Sequence, residues 1–527
     1  MAILLQHLLS ASATRDPEAP AVGLGDQTVS YGELESLSDR LAHVLHERGV
    51  RPGDRVALYL PKSPASLIAI HGILKAGAVY VPLDANAPAK RLALILSDCG
   101  VRCVIASATK TDALRSLVAE GARPEFIVLT DEADASALER LDVRVAPWRD
   151  VIAAPPTPPR IATASTDLAY VLYTSGSTGT PKGVMISHGN ALSFVDWAAS
   201  EFGVRKEDRL SSHAPLHFDL SIFDLFAAMK AGASVALVPD GTSTFPIRLG
   251  QWMERNAITI WYSVPSILTL LLLKGGLDRL DLHALRLVLF AGEVFPTKHL
   301  RRTMLALPRT EFANLYGPTE TNVITYYRVP APPGEEDDPI PIGRPCANAS
   351  LFVQDEAGDL RDQPGVTGEL IARGATVARG YWGDREKTAQ LFIEDPREPD
   401  PAHRMYRTGD FVSLGADGNY RLLGRRDRMI KSRGYRIELD EIETVLMAHR
   451  AIREAAVVAV PDELAGNRIR AFVSCTDSEA PTPGMLRDHC LEKLPRYMVP
   501  ESIDVMSELP KTSTGKIDRT RLAGGSA

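Results

Sequence analysis

The chain has 527 residues, 45% of them hydrophobic and 24% charged, with a formal net charge of −7. That length exceeds one simple core, so two or more domains are expected, and the composition is that of an ordinary soluble globular protein. The acidic balance argues against a general nucleic-acid binder, and the five cysteines, odd in number and without a close CxxC pair, suit a reducing compartment better than a disulfide framework or a zinc site.

The first nine residues are apolar but carry no positive start, and Gln6 and His7 interrupt them, so a short amphipathic helix is expected there and not a signal peptide. Helical patterns follow at 31–48, 64–74 and 249–256. Short β-branched runs at 102–106, 126–130, 170–173, 234–238, 258–262 and 287–290 predict strands. Strands separated by helices indicate an α/β architecture with largely parallel sheets. The most apolar stretch, 267–273, is far below the roughly 20 residues that cross a bilayer, so no membrane span and a cytoplasmic protein are expected. Two Pro-rich stretches, 153–160 and 329–345, read as linkers or surface loops. After Gly424 a charge-dense segment leads into a helix (440–449), two strands (455–460, 468–474) and a helix (485–493). The expected organisation is a large N-terminal domain over 1–426 and a small α+β domain over 427–527.

The most informative run is Tyr173-Thr-Ser-Gly-Ser-Thr-Gly-Thr-Pro-Lys-Gly183, placed after a predicted strand. Glycines let a backbone approach an anion closely, and their N–H groups form a nest for phosphate oxygens. Ser175, Ser177, Thr178 and Thr180 add hydroxyls, and Lys182 adds a charge. The run does not fit GxxxxGK[ST]. Read alone, it also fits a Ser/Gly hairpin turn.

This run is similar to the phosphate loop of the adenylate-forming superfamily, which includes acyl-CoA synthetases, luciferases and nonribosomal peptide synthetase adenylation domains. Further segments resemble that family's motifs in order: Leu74–Asp84 as LKAGAVYVPLD, Asn314–Glu320 as NLYGPTE, Gly368-Glu-Leu, Tyr406-Arg-Thr-Gly-Asp410, Gly424-Arg-Arg-Asp427 with Lys431-Ser-Arg-Gly434, and LPKTSTGKID at 509–518. The resemblance runs from end to end. It implies a large multi-sheet α/β domain and a small mobile C-terminal α+β domain that turns about a hinge at Asp427.

The resemblance also implies site residues. Thr174, Ser175, Gly176, Ser177, Thr178, Gly179 and Lys182 would hold ATP phosphates. Tyr316 would lie against adenine beside Gly317, Thr319 would bond the α-phosphate, and Glu320 would be the Mg²⁺ ligand. Asp410 would grip the ribose hydroxyls with Arg425 in support. Lys516 would bridge substrate carboxylate and α-phosphate, offsetting their repulsion during in-line displacement of pyrophosphate. Lys431 and Arg433–Arg436 would belong to the face used in a second, thiol-directed step. Leu422 stands where related domains often carry an aromatic over adenine, so weaker stacking is expected.

HFDLSIF at 217–223 resembles the segment that opens the pocket of amino acid adenylation domains. There Phe218 precedes Asp219, which would pair with the substrate's α-ammonium; the bland alternative is Asp219 as a helix cap. The remaining walls implied by the resemblance are Leu220, Phe223, Tyr262, Leu289, Ala291, Gly292, Leu315, Val323 and Ile324. None is charged, which disfavours charged and strongly polar side chains. The set is similar to that of stand-alone prolyl–carrier protein ligases, so L-proline ranks first, with alanine and valine also fitting. No carrier-like serine context follows Lys516. The expected acceptor is therefore the phosphopantetheine thiol of a separate carrier protein. The Arg-rich run 425–436 could steer such a partner but reads more simply as a solvated loop with hinge contacts. A synthetase using free coenzyme A and a non-catalytic adenylate binder are the alternatives.

Overall fold

The computed structural model describes residues 3–131, 138, 143–176, 180–334, 338–397, 404–425, 428–475, 481–511 and 517–524. Local chemistry sets the element starts. Ser30 and Glu33 form a reciprocal capping box that opens the helix Tyr31–Glu47, and Pro64, already fixed at a helical φ, opens Pro64–Lys75. The N-terminal helix is Gln6–Arg15, with Leu8 and Leu9 buried.

Among the described residues the strands form five sheets. A seven-stranded sheet runs, in spatial order, Arg144–Ala146, Phe126–Leu129, Cys103–Ala106, Arg55–Tyr59, Val79–Pro82, Leu168–Thr174 and Lys182–Ser187. All its neighbours are parallel except the last pair. A nine-stranded sheet holds a parallel centre made of Pro20–Leu24, Ser234–Leu237, Arg209–Ser212, Ile260–Ser263, Leu287–Ala291 and Glu311–Tyr316. Antiparallel strands close both of its edges. Strands such as Cys103–Ala106, Phe126–Leu129 and Leu287–Ala291 are continuous apolar runs buried at every position, the pattern of parallel strands covered on both faces.

A third, six-stranded sheet built from 349–425 is antiparallel throughout. The sequence patterns did not single it out. Its long strand Met405–Leu414 largely alternates buried and partly exposed positions, so apolar residues adjoin only in the pairs Met405-Tyr406 and Phe411-Val412. The stretch 329–345, expected as a linker or surface loop, contributes the edge strand Arg344–Pro345 and the buried Ile342. The C-terminal part contains the hairpin Met429–Ser432/Tyr435–Glu438 and a three-stranded sheet of Ile452–Asp462, Gly466–Cys475 and Ser502–Met506, flanked by helices Leu439–Met447 and Pro483–Leu491. Among the described residues no helix is long and apolar enough to cross a membrane.

One buried carboxylate ties the amino-terminal ends of three neighbouring strands. Asp208 accepts from Arg286 Nε and Nη2 (2.8 and 2.7 Å), from Thr259 Oγ1 (2.9 Å) and from the Arg205 amide (2.9 Å). Burial alone would raise its pKa, but the Arg286 fork and the other donors hold it below the ordinary aspartate value. Because the folded-state pKa is depressed, the stabilisation is present above the unfolded pKa and is lost as pH falls through the folded one. Asp208→Asn is therefore expected to cost about 3 kcal/mol in urea unfolding at neutral pH. The gap from wild type should narrow below about pH 4.

Candidate functional site

The carboxyl ends of the parallel strands converge on one region, as in open α/β sheets generally. A cavity of about 100 Å³ lies there, lined in part by Asp219, Leu220, Tyr262, Ala291 and Val323. It adjoins a cleft of about 840 Å³ between Glu293–Pro296, the strand end at Asn314–Tyr316, Leu422–Arg425 and the C-terminal loop at Gly466.

Asp219 stands at the start of a helical turn, yet its side chain makes no capping hydrogen bond. It faces the cavity beside Thr319. Burial pushes its carboxyl pKa up, countered by the Thr319 hydroxyl and the Lys431 charge. A carboxylate left in such a place gains strongly from a cation. Phe218 is packed edge-on by Tyr435 of the C-terminal hairpin at 4.9 Å, and Tyr435 stacks on Tyr497 at 3.7 Å.

Leu220, Tyr262, Ala291, Gly292 and Val323 line the cavity, whereas Phe223, Leu289 and Ile324 are buried in the core and do not line it, Ile324 packing against the antiparallel sheet, and Leu315 faces the neighbouring cleft. The turn Phe223–Ala227 is π-helical, and the Phe223 ring packs on Phe202 and Tyr262 at 6.4 and 5.7 Å. Asn322 and Met429 line the cavity as well and were not singled out from the sequence, and Tyr435, within the run Arg433–Arg436, also lines it.

On the cleft side, Asp410 accepts from the Tyr316 hydroxyl and, at 2.7 Å, from Arg425, which also donates to the Thr408 carbonyl at 3.1 Å. Tyr316, at the end of its strand, carries the Lys431 ammonium over its ring at 5.9 Å. Lys431 thus lies within the field of both Asp410 and Asp219, and burial lowers its pKa.

Glu320 is fully buried and takes both oxygens to Arg436 Nη1 at 2.9 Å, with the Tyr381 hydroxyl at 2.7 Å on Oε1. Burial alone would raise its pKa; Arg436 and Tyr381 instead hold it below the usual carboxylate value. The hairpin turn that delivers Arg436 needs left-handed backbone at Arg433 and Gly434 (φ 52° and 81°). A Cβ on Gly434 would lie 2.4 Å from Val264, so only glycine allows this approach. The Gly434 amide donates to Glu293 at 2.6 Å.

The described part of the Ser/Gly loop is engaged by the same C-terminal segment. Ser175 Oγ donates to the Arg436 carbonyl at 2.7 Å, and the Gly176 amide donates to Glu441 at 3.2 Å. Arg91 pairs with the other Glu441 oxygen. Lys182 stands 3.9 Å from Glu438, and burial brings its pKa down to about 8. The Thr174 hydroxyl is buried at the cavity and has no partner among the described residues. Gly317 lines the cavity with its backbone against Asn322, where a Cβ would meet the carbonyl at 1.7 Å. Lys516, Asp427, Ser177, Thr178 and Gly179 lie outside the described residues. Glu293, Glu441, Arg91 and Tyr381 escaped sequence reasoning. Glu441 had one signal, its place in the charge-dense segment after Gly424.

The description "AMP-binding enzyme" matches residues 9–382, and "AMP-binding enzyme C-terminal domain" matches 441–516. The chain belongs to the AMP-binding enzyme family. Within that family it is 39% identical over 520 residues to an L-proline–[L-prolyl-carrier protein] ligase of Pseudomonas fluorescens, covering 99% of each chain. A ligase of the same description from Streptomyces coelicolor is also 39% identical, over 95% of this chain and 92% of the relative. Among solved structures, the Vibrio cholerae adenylation domain AlmE in complex with glycyl-adenosine-5′-phosphate superposes with a TM-score of 0.86 at 26% identity, covering 99% and 98% of the chains.

Glu441 joins the loop amide and Arg91 to the C-terminal segment while itself 1% exposed. Glu441→Gln is expected to shift the equilibrium away from this docked arrangement by about 2 kcal/mol, roughly thirtyfold. Faster proteolysis of the C-terminal segment and a larger radius of gyration in solution scattering would report the shift.

Proposed function

We propose that the chain uses ATP and Mg²⁺ to convert L-proline to prolyl-AMP, then passes the prolyl group to the phosphopantetheine thiol of a separate carrier protein in the cytoplasm. The observation that carries the amino acid reading is Asp219, a buried carboxylate with no capping hydrogen bond that lines a small cavity, of which Asp410, Arg425, Lys431 and Arg436 form the charged part. The two 39%-identical relatives described as L-proline ligases support proline and the carrier acceptor. The apolar lining by Leu220, Tyr262, Ala291 and Val323 suits the pyrrolidine ring.

In this reading Asp219 holds the substrate ammonium and thereby orients the carboxylate. A carboxylate oxygen attacks the α-phosphorus, a P–O bond forms, and pyrophosphate leaves. Lys516 bridges carboxylate and phosphate in that step, Thr319 bonds the α-phosphate, and the 174–182 loop with Lys182 holds the triphosphate. Asp410 and Arg425 hold the ribose, and Tyr316 and Gly317 flank the adenine. In the second step the thiol sulfur attacks the acyl carbon and AMP leaves, with Lys431 placed against the departing phosphate. Residues 1–426 form the body, and 427–527 the lid, turning about Asp427.

Among the described residues no group of three His, Cys, Asp or Glu could hold a metal. Glu320 alone suits a Mg²⁺ that takes its other ligands from substrate phosphate and water, as that ion commonly does. When bound, the ion neutralises charge on the phosphates. Arg436 must first leave Glu320, because one buried carboxylate cannot serve both cations with the same oxygens. The docked hairpin therefore fits the second step better than the first.

Amino acid-dependent exchange of pyrophosphate into ATP tests the first step, across proline, alanine, valine and the deamino analogue cyclopentanecarboxylate. Proline is expected to dominate, with Asp219→Ala reducing its exchange at least 100-fold. Exchange with the deamino acid alone would move the enzyme to coenzyme A synthetase chemistry. Lys516→Ala should lose exchange by a similar factor while still transferring prolyl groups from added prolyl-AMP to a carrier thiol. Equal loss of both steps would sink the division of labour between Lys516 and Lys431.

A further inference from the structure

Lys62 lies outside the cavity lining, in the turn between the strand Arg55–Tyr59 and the helix Pro64–Lys75. Its ammonium crosses from the seven-stranded sheet's layer to the nine-stranded sheet. There it donates to three consecutive carbonyls, those of Ser212 (2.6 Å), His213 (2.8 Å) and Ala214 (3.2 Å). An ammonium has three N–H donors, so the head group is fully used on backbone. A lysine at a protein surface ordinarily keeps its head in water. Here burial draws the Lys62 pKa down to about 8, against the opposing fields of Asp224 and Asp240.

The three carbonyls sit at a decisive place in the chain. Ser212 ends the strand Arg209–Ser212, and His213 and Ala214 open the segment that runs to Phe218 and Asp219. That segment's far end is fastened by Ser221, whose hydroxyl donates to the Phe218 carbonyl at 2.6 Å. His213 is held sideways by Ser243 at 3.0 Å. Between these anchors the Phe218 amide donates to the Pro215 carbonyl at 3.0 Å, and Ser221 adds its amide to the Phe218 carbonyl at 3.1 Å and its hydroxyl to the Leu216 carbonyl at 3.4 Å. Where Asp219 stands over the cavity thus depends on where Lys62 holds the first residues of the segment.

We propose that Lys62 is a positioning residue for amino acid recognition, fixing the 212–214 backbone and through it the placement of Asp219. The inference rests on the reading of Asp219 as partner of the substrate ammonium. Lys62 touches neither substrate nor nucleotide in this scheme, so its effect should fall on the amino acid side alone.

The test compares full-length wild type with Lys62→Met and Lys62→Arg. Lys62→Met should raise the proline KM in pyrophosphate exchange about tenfold, leave the ATP KM within about twofold, and narrow the preference for proline over cyclopentanecarboxylate. Lys62→Arg, which keeps charged donors, should recover most of the loss. Hydrogen exchange read by mass spectrometry should show faster amide exchange confined to 213–219 in the Met variant and near wild-type rates in the Arg variant. An unchanged proline KM overturns the proposal. So does a parallel rise of both KM values with exchange faster throughout the chain, which is the mark of a merely structural lysine. Should Lys62→Met not fold, Lys62→Gln, with uncharged donors, takes its place, and the same changes in KM and amide exchange support or overturn the proposal. If wild type activates no amino acid, the proposed function falls, while the local amide exchange still decides whether Lys62 holds the segment.

Discussion

The buried pair between Arg436 and Glu320 is the constraint around which the site is organised. Glu320 is fully enclosed, and an ionised carboxylate in that position is costly unless a cation meets it. Arg436 meets it with both carboxylate oxygens in range. The guanidinium arrives on a hairpin whose turn must be left-handed at two residues and must pass within contact of Val264, so the pair dictates the hairpin's path. Removing Arg436 from this position obliges another positive charge to take its place, or the carboxylate to become protonated.

The same substitution of charges recurs along the Ser/Gly loop. Glu441 accepts the Gly176 amide and Glu438 lies beside Lys182, so C-terminal carboxylates stand where the proposed reaction would bring phosphate oxygens. Nests of amides and a lysine attract an anion of either kind. The docked segment thus presents a cation to the acid and acids to the phosphate-seeking groups. The scaffold beneath is held independently. Asp208 fixes the amino-terminal ends of strands whose carboxyl ends supply Tyr262 and Ala291. Stability and chemistry are thereby placed at opposite ends of the nine-stranded sheet.

How much of this was legible depended on how local the cause was. Six of the parallel strands announced themselves as short apolar runs, whereas Arg55–Tyr59, Val79–Pro82 and the polar Arg209–Ser212 were not singled out. Cys103–Ala106 and Leu287–Ala291 fall within a residue of the patterned positions. The antiparallel sheet stayed hidden because alternating exposure dilutes its apolar signal. Motif resemblance reached Asp219, Asp410 and Glu320, each embedded in an ordered run of residues. It could not reach Arg91, Glu441 or Glu293, which lie outside those runs: Arg91 and Glu441 are 350 positions apart, and Glu293 meets Gly434 across 141. Only the fold pairs such residues. The cavity walls show the same limit at short range. Leu220 and Phe223 both belong to the expected lining, yet the π-helical turn and the aromatic cluster of Phe202 and Tyr262 take Phe223 into the core.

Shared residues imply coupling, and its direction follows from linkage. A group that binds Glu320, Lys182 or the Gly176 amide from the substrate side competes with the docked hairpin for the same atoms. Occupancy by phosphate and metal must then disfavour docking, and docking must disfavour their occupancy by an equal factor. The size of that factor is the difference in affinity of each ligand for the two arrangements, and affinity common to both contributes nothing. In the proposed cycle, the ATP triphosphate and then the pyrophosphate cleaved from it would engage these groups, with Mg²⁺, only until pyrophosphate departs. The prolyl-AMP left behind would keep its contacts with Asp219, Asp410 and Tyr316, near which the docked hairpin places Lys431 but, among the described residues, no salt bridge. Departure of the inorganic products therefore removes what opposes docking while leaving the bound intermediate in place, which is the order a two-step transfer requires.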